Sequence, residues 1–321
     1  MTRSYKSKTS NTGFATGILV VFALAMFAAL TIKNEYFFFA AYMVLIAIVM
    51  ATAWNILGGY AGYVNFGGAA FFGIGSYTSV VLIKAAAWPL LVQILVASCV
   101  GAVLGLALGL LTLRLRGIFF SIATVAITII LETVIINWRF VGGATGVQLL
   151  RPPVMEPFDS YIKMLFVVAV LLAIVAVSIA RYIETSWLGR GLRAIRDNES
   201  AAECSGVPTL KLKLLACGIS GALMSAAGAP GAMYLSFVEP ASAFNMNHSV
   251  SALAMPIIGG TAHWMGPILG GLLLGTTQQL VQVTISSELN VLVVGVLLVL
   301  FVVVAPEGIV GLWRRFRGSR S

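Results

Sequence analysis

Residues 89–113 read Pro89-Leu-Leu-Val-Gln-Ile-Leu-Val-Ala-Ser-Cys-Val-Gly-Ala-Val-Leu-Gly-Leu-Ala-Leu-Gly-Leu-Leu-Thr-Leu113, a run of 25 residues without a charged side chain. As a helix it would be about 37 Å long, enough to cross the ~30 Å hydrocarbon core of a bilayer. Arg114 and Arg116 close the run, where a cation meets headgroups and water. Gly101, Gly105 and Gly109 fall at four-residue steps on one face, two overlapping GxxxG units that let backbones approach closely in lipid.

The same pattern recurs along the chain. Ten apolar segments are read at 14–32, 36–57, 62–83, 89–113, 117–137, 164–182, 212–236, 248–262, 264–285 and 290–305. With 60% hydrophobic and only 10% charged residues in 321, a soluble surface is excluded. The first segment, Phe14–Ile32, is longer than the apolar core of a secretory signal and reads as a retained helix. The predicted fold is an all-α polytopic membrane protein of about ten transmembrane segments, some interrupted or re-entrant. Segment 248–262 is short enough to be a half-helix. The expected organisation is a cytoplasmic tail (1–13), one transmembrane domain (14–305) and a basic cytoplasmic tail (306–321).

The net charge of +9 invites a nucleic-acid reading, but its distribution speaks for membrane orientation. One face collects Arg3, Lys6 and Lys8; Arg114 and Arg116; Arg181, Arg190, Arg193, Arg196, Lys211 and Lys213; and Arg314, Arg315, Arg317 and Arg320. That is 15 of the 20 cations, against 5 (Lys33, Lys84, Arg139, Arg151 and Lys163) on the other. The positive-inside rule puts both termini and the 183–211 loop in the cytoplasm. No basic patch is interleaved with aromatics, so nucleic acid is not an expected partner. The three cysteines, Cys99, Cys204 and Cys217, have neither disulfide nor metal spacing.

No catalytic or metal constellation is found: no HExxH, CxxC, GxSxG or phosphate-binding GxxxxGK[ST], and no cofactor is expected. Glu132 is the single acidic residue inside a predicted span, a costly placement that serves transport, snorkelling or structural pairing.

Two stretches are rich in glycine. Between Asn55 and Tyr77 seven glycines fall at positions 58–75. Glycine permits turns and close approach, so either a broken helix lining a cavity or helix packing accounts for them. Asn65, Phe66, Gly67, Gly68 and Phe71 are the candidate path residues here. The second stretch, Pro256-Ile-Ile-Gly-Gly-Thr-Ala-His-Trp-Met-Gly-Pro267, adds Gly259, Gly260 and Thr261; two interrupted segments, one per half, fit a path at a repeat interface.

The loop Gly189-Arg-Gly-Leu-Arg-Ala-Ile-Arg-Asp-Asn-Glu-Ser-Ala-Ala-Glu-Cys-Ser-Gly-Val-Pro208 predicts a short capped helix. Asp197 or Asn198 caps it, Glu199 suits its first turn, Gly206 ends it and Pro208 prevents extension. Ala201 and Ala202 would leave one side flat, fit for a partner's cleft.

Several motifs resemble the branched-chain amino acid permease family of ABC importers, in its LivM-like form. They are Arg116-Gly-Ile-Phe-Phe-Ser-Ile-Ala-Thr, Asn137-Trp-Arg with Thr145-Gly, the run from Arg193 to Gly206, Gly266-Pro and Pro306-Glu-Gly. The resemblance covers about residues 40–312. It implies a type II importer-like fold in a bacterial inner membrane. It also implies a complex with a second homologous permease, two ATPase subunits and a periplasmic binding protein. It assigns Arg193, Arg196, Asp197, Asn198, Glu199, Ala201, Ala202, Glu203 and Gly206 to ATPase docking. Three positions depart from the family pattern: Gly68 stands where a His is frequent, Ala262 and His263 replace the end of a Gly-Gly-x-Gly turn, and Ile129 stands at the usual intraspan Glu, with Glu132 one turn later. Relatives of this fold carry urea, short amides, sugars or nucleosides. An ion-coupled carrier would require paired intramembrane carboxylates, and a non-transporting assembly subunit would need no interrupted spans.

Overall fold

The computed structural model describes residues 11–112, 115, 117–149, 158–284, 289–305 and 307–312. Most of the two predicted tails, with Arg151, Pro152, Pro153 and Pro157 of the 138–163 loop, lies outside these residues. Among the described residues thirteen α-helices follow one another, with one two-stranded antiparallel ribbon: α1 (Asn11–Thr31), α2 (Glu35–Ala61), α3 (Gly68–Ala86), α4 (Leu90–Thr112), α5 (Ile118–Ile136), β1 (Val147–Gln148), α6 (Tyr161–Thr185), α7 (Trp187–Asp197), α8 (Glu199–Cys204), α9 (Thr209–Leu235), β2 (Phe237–Val238), α10 (Pro240–Ala243), α11 (Met246–Gly259), α12 (Gly266–Thr284) and α13 (Leu289–Val304).

Eight helices among the described residues are long and apolar enough to cross a membrane. The chain is a multi-pass membrane protein. Two of the ten predicted segments are not among the eight. α11 has 14 residues, about 21 Å of helix, and falls short of the hydrocarbon thickness, as segment 248–262 predicts. α12 has the length, but its second half carries Thr276, Thr277, Gln278, Gln279 and Gln282, which lower its hydropathy.

The alternating helices define two ends of the bundle. The ribbon end carries β1 paired antiparallel with β2, Val147 opposite Val238 across four intervening helices of the chain. The loop-helix end carries α7, α8, the 62–67 connection and the 260–265 turn.

The core surrounds α2, α6 and α9, with Tyr60, Leu165, Leu212 and Met224 almost wholly buried. α9 packs along α3, α4 and α2. Its contacts explain the glycine stripe of α4. A Cβ on Gly101 would strike Ser225 and the Gly221 carbonyl, and one on Gly105 would strike the Cys217 carbonyl. α3 meets α9 the same way: Gly75 lies on the Ser225 backbone, and Gly228 on that of Phe72. On α12, Gly271 and Gly275 accommodate Ile48 and Val44 of α2. Arg181 stacks 3.9 Å from the Phe14 ring and 5.7 Å from that of Trp264, fastening α1 to the bundle.

Candidate functional site: the loop helix and the interrupted span

α2 ends at Gly62, whose φ of 77° is left-handed; its N–H donates to the Gly58 carbonyl and the Tyr63 N–H to that of Leu57. The chain then runs extended through residues 63–66 before α3 begins. Unpaired backbone groups inside a bilayer cost several kcal/mol each, so an interruption needs partners. They are supplied here by side chains. Ser121 donates to the Val64 carbonyl at 2.8 Å and Trp54 Nε1 to the Asn65 carbonyl at 2.7 Å. Thr124 accepts from the Phe66 N–H at 3.0 Å. Ser249 donates to the Phe66 carbonyl at 2.6 Å and accepts from the Ala69 N–H at 2.8 Å. Asn65 turns its own Oδ1 to the Gly67 N–H at 2.7 Å. The polar side chain singled out in the sequence therefore builds the break.

Asn65, Gly67, Gly68 and Phe71 are buried and Phe66 half-buried, packed between α5, α9 and α11. A narrow crevice bounded by Asn65, Gly67, Phe71, Phe120 and Thr124 lies beside them. Gly259, Gly260 and Thr261 form a separate contact. Gly259 touches the backbone of Gly266 and Gly270, and Gly260 has φ of 113°. These glycines make the α11–α12 crossing, and Pro267 sits in the first turn of α12, where its missing N–H costs nothing. The Thr261 carbonyl lies against Gly59, so this turn touches the end of α2. Glu132 stands half-buried one turn from the end of α5, beside Thr128, Phe244 and Asn245.

The loop helix forms as its local chemistry dictates. Asn198 is the cap, accepting from the Ala201 N–H at 3.1 Å. Asp197 instead ends α7. Gly206, φ 81°, turns the chain out, and the Val207 N–H returns to the Ala202 carbonyl at 3.0 Å. α8 has six residues. Ala201 is exposed while Ala202 is 5% exposed and faces the bundle, so the two alanines do not share the flat outer side expected of them. Asp197, Asn198, Glu203 and Gly206 are exposed, with Glu203 accepting from Thr209 Oγ1 at 2.7 Å.

Glu199 points the other way. Its Oε1 receives Lys213 Nζ at 2.6 Å, and its Oε2 receives Tyr63 Oη at 2.6 Å. Lys213 also donates to Tyr63 Oη at 3.1 Å. Tyr63 is the first residue of the extended break, so α8 is bonded directly to the interrupted span. Arg196 adds a second link, its Nη1 on the Gly59 carbonyl at 3.0 Å. Arg193 donates to the Glu184 carbonyl at 3.0 Å. Glu184 in turn accepts from the Trp264 N–H at 2.7 Å and from Tyr60 Oη at 3.4 Å, tying in the 260–265 turn. Sequence reading missed Tyr63, Lys213 and Glu184. A tyrosine just past a glycine turn and a lysine inside an apolar segment were the available signals.

Residues 36–302 match the family described as branched-chain amino acid transport system, permease component. The chain is 27% identical over 298 residues to the high-affinity branched-chain amino acid transport system permease protein LivM of Salmonella typhimurium, covering 85% of this chain and 69% of that one. The LivM protein of Escherichia coli gives the same identity and coverage. A probable branched-chain amino acid transport permease protein LivH of Methanocaldococcus jannaschii is 26% identical over 270 residues, 79% of this chain and 85% of its own. No solved structure matches. A multi-pass bundle with an interrupted span bonded to a capped loop helix, and a family match over most of its length, make this chain a member of the branched-chain amino acid transport permease family.

Proposed function

We propose that this chain is the LivM-like half of the membrane path of an ATP-driven importer that moves branched-chain amino acids across a bacterial inner membrane. The loop-helix end is cytoplasmic, as are both termini, in keeping with 15 of the 20 cations on that face. Residues 14–305 act as one permease domain beside a second homologous permease. Two ATPase subunits bind below, and a periplasmic binding protein delivers the solute above. The absence of a GxxxxGK[ST] loop from the sequence agrees with hydrolysis on separate subunits.

One observation carries this reading: the Glu199–Tyr63–Lys213 cluster, in which a carboxylate on α8 and a cation on α9 meet at the break in the α2–α3 span. The exposed side of α7–α8, with Arg196, Asp197, Asn198, Ala201, Glu203 and Gly206, is the docking face. Closure of the ATPase pair displaces α8. Through Glu199, Arg193 and Arg196 the displacement reaches residues 59–68 and the 259–265 turn, where Asn65–Gly68, Phe71 and Gly259–Thr261 gate the path. Such a shift follows from contacts that differ between two states.

The test is reconstitution with the two ATPases, the second permease and the binding protein in proteoliposomes. Uptake of radiolabelled L-leucine should require hydrolysable ATP. Uptake driven by an ion gradient with ATP absent would establish an ion-coupled carrier instead.

A further inference from the structure

Toward the ribbon end, α2, α3, α9, α11 and α12 line a cavity of about 310 Å³ that neither the docking helix nor the interruption explains. It reaches from Glu239, ahead of α10, and Ser242, within α10, down to Phe72 and Met50 in the middle of the bundle. At its inner limit the His248 ring stacks on Phe72, with centroids 4.3 Å apart. Below that contact lies the Ser249-held break, so the cavity stops where the gate begins.

Its lining divides by chemistry. Tyr42, Met43, Ile46, Met50 and Phe72 supply an apolar wall. Opposite, Ser242, Asn247, Ser251, Gln278 and Gln282 supply neutral donors and acceptors. The glutamines are the unexplained feature of α12. Three of them within five residues of a helix otherwise built for lipid are expensive unless they face a polar interior. Gln278 uses one donor on Ser251 Oγ at 3.2 Å. On the α2–α9 side, the Tyr42 and Tyr234 rings stack 4.7 Å apart, and both hydroxyls are buried without a hydrogen-bond partner among the described residues. Neither hydroxyl oxygen is open to the cavity, which the two residues line with their other atoms. Among the described residues Glu239 is the one carboxylate on the lining, and no lysine or arginine stands there.

We infer that this cavity, between Tyr42 and Tyr234 on one side and Gln278 on the other, is an intrasubunit holding site for a small neutral zwitterion with an apolar side chain. The inference rests on the amino acid reading above and places the solute within it. Glu239 meets the ammonium group, the Ser242 and Ser251 hydroxyls and the Asn247 and Gln278 amides meet the carboxylate, and the Met43–Ile46–Met50 wall takes the hydrocarbon. The volume lies at the low end of ligand pockets, about 300–1,000 Å³, and so favours a ligand of few heavy atoms. Neutral donors bind the carboxylate without trapping it, which a conduit requires.

Two variants test this in the full reconstituted importer, with uptake of radiolabelled L-leucine normalised to permease abundance. The pair Asn247→Leu with Gln278→Leu removes two amides from the lining and keeps side chains of similar size; Ser251→Leu fills the cavity. Each should lower leucine uptake about tenfold, the effect of losing one or two hydrogen bonds, while ATPase co-purification stays at the wild-type level. Wild-type uptake in both variants would overturn the holding site and leave the importer reading intact. A wild-type importer with active ATPases that carries none of leucine, isoleucine and valine would overturn the amino acid reading, and the site with it.

Discussion

Removing Lys213 as Lys213→Met isolates the joint between the loop helix and the interrupted span. The Lys213 side chain is 4% exposed and that of Glu199 14%. Deleting one member of a buried ion pair costs about 3–5 kcal/mol, mostly because the other charge stays desolvated. Glu199 lies on a short surface helix and can rotate toward water, which sets the expected cost near the lower limit, about 3 kcal/mol. Glu199→Gln leaves Lys213 without its anion in a tighter place and should cost at least as much. The double variant buries no unpaired charge, and the amide introduced by Glu199→Gln retains an acceptor for Tyr63. It should therefore be less destabilised than the sum of the singles, with a coupling energy of roughly 2 kcal/mol. The measurement is a double-mutant cycle on the purified protein in mixed micelles, unfolding followed by far-ultraviolet circular dichroism. Effects that add to within about 0.5 kcal/mol would refute the joint, since independent sites behave that way.

Ala201→Arg places a long cation on the exposed side of α8, and Gly206→Pro forces a φ of 81° toward about −65°; both should leave membrane abundance unchanged and abolish co-purification of the ATPases. Gly259→Val sets a branched side chain against the Gly266 and Gly270 backbones and should cut membrane abundance several-fold, whereas Gly13→Val, with open space around it, should not; immunoblots of membranes decide. With Cys99 and Cys204 replaced, cysteines introduced at Ser4 and Ser319 should resist an impermeant maleimide in intact cells, and labelling of either would place that terminus outside.

Much of the loop helix was legible because capping is local chemistry. Asn198, Gly206 and Pro208 stand within ten residues of each other, and each acts on its own turn of chain. The inward face of Glu199 was not legible, because its partner Tyr63 is 136 positions away. Lys213 counted correctly as a cation on the loop-helix face, yet its burial depends on that same distant pairing. The glycines of the second stretch read from sequence as part of a path. The meeting of Gly259 with Gly266 and Gly270 across a turn is a backbone contact that no local pattern announces. The span boundaries followed hydropathy well, and failed to mark α12 as different although three glutamines were in plain view. A window average registers their number and is blind to the side on which they fall.

The backbone contacts among α3, α4 and α9 set a lower limit on the size of anything that moves during transport. Where Gly75 rests on the Ser225 backbone, and Gly101 on the Gly221 carbonyl, nothing larger than the Ser225 side chain lies between the main chains to roll or change rotamer. Sliding one helix by a fraction of a turn would drive Cα into carbonyl along the whole seam. These three helices therefore travel together, as one plate. Bending must be taken up at the plate's borders, and the extended residues 63–66, which enter α3 without helical hydrogen bonds of their own, form the border closest to α8. Cross-links within the plate, between α4 and α9 for instance, should then be tolerated through a full transport cycle, while a cross-link that spans the 63–66 border should arrest it.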